Sequence, residues 1–130
     1  MAGSVSIVHY ALGHVRRIEV TWTGDAADGT VPATALPAFE GRLLALVTNP
    51  GATAPTDNYD VTLVSGIGDD RLQGVGANRH TTTTQSVPIV YSGSTVHPWV
   101  DGDETMTFTI ANQSVNSALG VAVLYYTPGA

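Results

Sequence analysis

The chain has 130 residues, enough for one domain with a sizeable core, and 43% of them are hydrophobic against 12% charged. That balance excludes a disordered chain, which needs low hydrophobicity and high charge. There is no cysteine and all five basic residues are arginine, which excludes disulfides, thiolate metal sites, cysteine nucleophiles, Walker-type phosphate loops and lysine Schiff bases, while the formal net charge of −6 argues against direct nucleic-acid binding.

At the N-terminus, Val5, Ile7 and Val8 form an apolar stretch that no basic residue precedes; Arg16–Arg17 follow it instead. A secretory signal has the opposite polarity, so the protein is expected to be made without export. Residues 1–13 are expected to form an N-terminal arm or an edge strand, removable without unfolding the rest, and residues 14–130 a single β domain. No stretch approaches the ~18–20 continuous apolar residues that a membrane-spanning helix needs.

From Arg17 to Thr23 the chain alternates, with Ile18, Val20 and Trp22 on one side and Glu19, Thr21 and Thr23 on the other. Leu43–Val47 is apolar on both faces, which predicts a central strand, or one with a face in an interface. Tyr59, Val61 and Leu63 alternate with Asp60 and Thr62. Gly74–Ser86, centred on Thr81–Thr84, is polar and reads as a long surface excursion. Ser4–Tyr10 and Val87–Tyr91 are weaker strands, the second assigned to a sheet edge because Pro88 lacks a backbone donor. Met106, Phe108 and Ile110 interleave with threonines, and Val121–Tyr125 is the second run apolar on both faces. Threonine occurs 17 times and valine 16 times, and both suit a pleated surface. Gly24–Asp25, Asp28–Gly29, Asn49–Pro50–Gly51, Gly66–Asp69 and Asp101–Asp103 supply turns between these strands. About seven or eight short strands at this spacing predict an all-β fold, a single antiparallel β-sandwich or jelly-roll-like domain.

Candidate chemistry is sparse. Asp57, Asn58 and Asp60, the Asp69–Asp70 pair, and Asp101, Asp103 and Glu104 offer the hard oxygens that calcium prefers, yet they match no EF-hand spacing and read as turn residues. His9, His14, His80 and His97 form no metal-ligand pair. No Gly-x-Ser-x-Gly elbow occurs, and the Gly66-x-Gly68 and Gly74-x-Gly76 patterns open no helix. Trp22 alternates in phase with the core, which leaves Trp99, beside Pro98, as the freer aromatic surface. Arg16 and Arg17 give residues 1–17 a charge of +2 against −8 for the remainder, which carries three arginines and all eleven acids. The pair is either a solvated flank of a strand or an arm that meets an acidic neighbouring subunit. No catalytic residue, cofactor or metal is expected, nor a membrane.

Residues 16–79 carry a further pattern: Arg16–Arg17, Trp22–Thr23, Asp25 and Gly29, then Gly41 opening an apolar strand that ends at Pro50–Gly51. Pro55–Thr56–Asp57–Asn58–Tyr59–Asp60 and the later Gly68–Asp69–Asp70–Arg71–Leu72–Gln73–Gly74 complete it. This half of the chain resembles small structural proteins of tailed bacteriophages, regarded as capsid decoration or cement proteins. The resemblance implies a non-enzymatic protein on the capsid exterior of the virion, made in the host cytoplasm, with the major capsid protein and further copies of itself, as a dimer or trimer, as partners. Arg16, Arg17, Arg79 and Trp99 are the candidate capsid or subunit contacts. The alternatives are a tail- or fibre-associated sandwich that binds a host glycan through Trp99, and a calcium-dependent module built on Asp57, Asp60, Asp69 and Asp70.

Overall fold

The computed structural model describes residues 2–128. Among them nine strands and no helix occur: β1 (Ser4–Tyr10), β2 (Arg16–Thr23), β3 (Thr34–Ala35), β4 (Gly41–Pro50), β5 (Asp60–Val64), β6 (Gln85–Pro88), β7 (Trp99–Val100), β8 (Thr107–Ala111) and β9 (Leu119–Thr127). A large antiparallel sheet runs β1-β2-β9-β4-β6, with β7 also pairing β4, and a smaller one runs β3-β8-β5. The fold is an all-β, sandwich-like domain.

The period of two explains which side of each strand is covered. Ile18, Val20 and Trp22 of β2 and Ala122, Leu124 and Tyr126 of β9 are buried on the inner face of the large sheet, and Val61, Leu63, Phe108 and Ile110 face them from the smaller sheet. The Trp22 and Tyr59 rings meet edge-on at 5.7 Å between centroids, a favoured aromatic geometry that joins the layers. Burying a side chain of this size contributes roughly 1.5–3 kcal/mol. The two runs apolar on both faces, β4 and β9, are the central strands, and they pair from Arg42–Thr127 to Pro50–Gly120 with one irregularity between Leu43 and Ala45.

At the N-terminus the edge strand holds over the arm, with the bounds expected, and two other local expectations change. Residues 4–10 pair with β2 over seven consecutive positions, from Ser4–Thr23 to Tyr10–Arg17, and Val5 and Ile7 pack against the core. Of its two expected forms the N-terminal segment takes the edge strand, and because that strand is integral to the sheet it is not freely removable. The strand expected at Val87–Tyr91 lies earlier, at Gln85–Pro88, and it does form an edge. The first half of the expected surface excursion instead lies along β5. The Val61 amide donates to the Gly76 carbonyl at 2.8 Å, and the Arg79 amide donates to that of Tyr59 at 2.7 Å. Glycine at 76 permits this contact, because a Cβ there would collide with the Val61 carbonyl.

Candidate interaction surface

The outer face of the large sheet is covered by nothing in the described chain, and its composition can be read row by row from the strand register. One row runs Val8, Glu19, Val123, Val47 and Ser86; the next runs Tyr10, Arg17, Tyr125, Ala45 and Pro88; the last sets Thr127 beside Arg42 and Trp99. The pleat turns alternate residues of β4 and β9 inward, which is why runs apolar throughout leave valines and a tyrosine on this outer face.

One end of the face gathers cations and aromatics. The Arg17 guanidinium lies over the Tyr10 ring at 3.8 Å and pairs with Glu19 at 3.1 Å. Arg42 lies over the Trp99 ring at 4.4 Å. These are cation–π contacts that hold flexible side chains in one geometry. Arg16 projects toward the other side, donates from Nε to the Gly13 carbonyl at 3.1 Å, and has no carboxylate partner among the described residues. The β1–β2 connection carries Leu12, 90% exposed, and the exposed Val15. Two concavities flank it, of about 560 Å³ against Phe39, Glu40 and Tyr126 and about 440 Å³ against Tyr10, Leu12 and Tyr125, sharing His9 and Arg16. His9 Nε2 and the Tyr126 hydroxyl share a hydrogen bond at 2.5 Å, and burial, then the Arg16 charge, lower the imidazole pKa below the usual histidine value.

The structure thus brings Arg17 and Trp99 to one end of one face, with Arg16 at its margin. Trp99 is 48% exposed and borders a cleft with Val96 and His97. Arg79 stands apart. It is 9% exposed, donates from Nε and Nη2 to the Ala77 carbonyl at 3.3 and 3.2 Å, and burial lowers its pKa. Its position holds the segment along β5 and leaves little of it for another protein. Arg42, Tyr10 and Tyr125 escaped sequence reasoning; their signal was position, since each flanks or ends a run whose outward parity places it beside Arg17 or Trp99.

The carboxylates considered for calcium are engaged within the fold. Asp70 Oδ1 accepts from the Leu63 and Leu72 amides at 3.1 and 3.0 Å, and its Oδ2 accepts from Gly74 at 3.0 Å. Asp60 accepts from the Asn78 amide at 2.9 Å and from the Asn112 side chain. Asp57 accepts from Thr81 at 3.1 Å, while Asp69 accepts from Ser65 and pairs with Arg71. Among the described residues no group of three or more acidic or histidine side chains is placed to hold a metal ion.

The geometry defines a two-sheet antiparallel β protein with arginine and aromatic side chains gathered at one end of its large sheet. Comparison with protein-family models, curated proteins and solved structures gives no match.

Proposed function

We propose that the chain is a structural protein of a tailed-phage virion, non-enzymatic, that binds the major capsid protein on the capsid exterior and stabilises the assembled shell. The observation that carries this reading is the outer sheet face, where Tyr10, Arg17, Tyr125, Arg42 and Trp99 share one end. Arginine, tyrosine and tryptophan dominate the energetics of protein interfaces, because they combine large apolar area with directional hydrogen bonding. Three of the five arginines lie at this end of an otherwise acidic chain, which suits it to a shell surface rich in carboxylates. The resemblance of residues 16–79 to decoration proteins points the same way.

The test is the copy number of the chain in gradient-purified particles, measured by quantitative mass spectrometry against the major shell protein. A ratio near one, or a simple fraction such as one third, is expected for a lattice-bound cement protein, by the symmetry of closed shells. A ratio of a few per cent would move the protein to a tail or fibre, where Trp99 would face a glycan, and absence from particles would overturn the virion role.

A further inference from the structure

A β-sheet edge presents unpaired main-chain groups to any other strand, and proteins normally shorten, cover, charge or interrupt their edges. Three of the four edges here are managed in these ways. The outer edge of β5 is covered by residues 70–79, with the Arg71 amide donating to the Leu63 carbonyl at 2.7 Å and the Val61 amide to that of Gly76. β3 has two residues. On the far edge of the large sheet, β7 has two residues, and β6 has four and ends in Pro88, which has no donor.

β1 is the exception. It has seven residues, Ser-Val-Ser-Ile-Val-His-Tyr, with no Lys, Arg, Asp, Glu or Pro, and its register to β2 runs without a bulge. Among the described residues its main chain hydrogen-bonds to β2 alone. Val8 and Tyr10, on its outward face, are 48% and 42% exposed.

We infer that β1 is a self-association edge, pairing antiparallel with β1 of a second copy about a two-fold axis at Ile7. Charge selects this occupant and this direction. The Tyr10 end of β1 lies beside Arg17 and Arg16, whereas the Ser4 end lies beside Thr23, followed by the turn that holds Asp25 and Asp28. Neither aspartate has a cationic partner, and Arg16 has no carboxylate among the described residues. Antiparallel pairing sets the arginine end of each copy against the aspartate turn of the other; parallel pairing would oppose like charges. The two-fold also makes the strand complementary to itself. Pairing all seven residues sets Ile7 against Ile7 of the second copy, Val5 against His9, Ser6 against Val8, and Ser4 against Tyr10. No like-charged pair arises, and the two large sheets fuse into one. The inference needs no capsid, and it selects a dimer over a trimer.

Sedimentation of the full chain from about 1 µM to about 1 mM tests it, since affinities in that range register there. The wild type is expected to dimerise. The double variant Ser6→Lys/Val8→Lys places lysine opposite lysine twice and is expected to weaken the dimer at least about tenfold. Ser6→Glu/Val8→Lys places glutamate opposite lysine twice and is expected to keep it. In both variants the lysine introduced at position 8 stands opposite Glu19 within its own chain and position 6 stands opposite the uncharged Thr21, so neither opposes like charges across β1 and β2. A monomer throughout, a trimer, or equal behaviour of the two variants would overturn the inference. Amide exchange on the wild type supplies a readout independent of substitution: β1 amides should become protected as concentration rises, and a dimer that forms without this protection places the interface elsewhere and also overturns it.

Discussion

Gly120 sits directly opposite Trp22 across the β2–β9 pair, and the indole lies over its bare backbone. A Cβ at 120 would stand 2.7 Å from Trp22 Nε1 and nearer still to Cζ2, closer than any packed contact allows. Gly120→Ala is therefore expected to push the ring out of the core and cost about 1–3 kcal/mol, read from urea unfolding. His9 makes a second prediction at this scale. Burial and Arg16 hold its folded pKa below the unfolded value of 6.5, so the folded protein binds fewer protons than the unfolded chain in that region. The contribution is present in full above the unfolded value and is lost as pH falls through it toward the folded one. The urea midpoint should fall between about pH 7 and about pH 5, and the fall should be shallower in His9→Asn. Asp28 and Asp69, whose hydrogen bonds lower their pKa values from 3.8, act at more acid pH and leave this window to histidine.

Between elements, one buried amide joins three loops. The Gln113 side chain, 7% exposed, donates to the Gly29 carbonyl at 2.6 Å and that of Val115 at 3.1 Å, while its oxygen accepts from the Thr56 and Val115 amides, both at 3.0 Å. It ties the turn after β2 to the approach to β5 and to the β8–β9 connection. Gln113→Leu keeps similar volume but orphans these main-chain groups, so a loss of about 2–4 kcal/mol is expected in thermal or urea unfolding. The segment along β5 works in the same manner: Asp70 uses three of its acceptor positions on backbone amides, and Leu72 is fully buried between them.

For the molecule as a whole, the sheet joins distant parts of the chain, with Arg16 opposite Tyr126 and Arg42 opposite Thr127. Loop closure must precede most of the stabilising contacts, so refolding is expected in the millisecond-to-second range typical of sandwiches. Stopped-flow tryptophan fluorescence, dominated by the buried Trp22, measures it; microsecond relaxation would show that local contacts govern folding instead. The same topology leaves one face of the large sheet open, and that face carries the arginine and aromatic surface. Its acidic counterpart, the Asp25–Asp28 turn, lies at the other end of β2.

Much of this architecture is local enough to be written in the sequence. Alternation marks β2, β5 and β8, and the two runs apolar on both faces mark the central strands β4 and β9. Trp22 and Tyr59 are legible as core residues from their phase alone, and Gly68 and Gly74, at φ 95° and 80°, lie either side of the buried Leu72. Strand order is not legible, because hydrogen-bonded neighbours are chosen by closure of the whole chain. Only the tertiary structure therefore brought Tyr10, Arg17, Arg42 and Trp99 to one end of one face, turned Arg79 inward onto Ala77, and drew residues 70–79 along β5. Each of these depends on which strands pair, and pairing is decided by contacts between residues tens of positions apart.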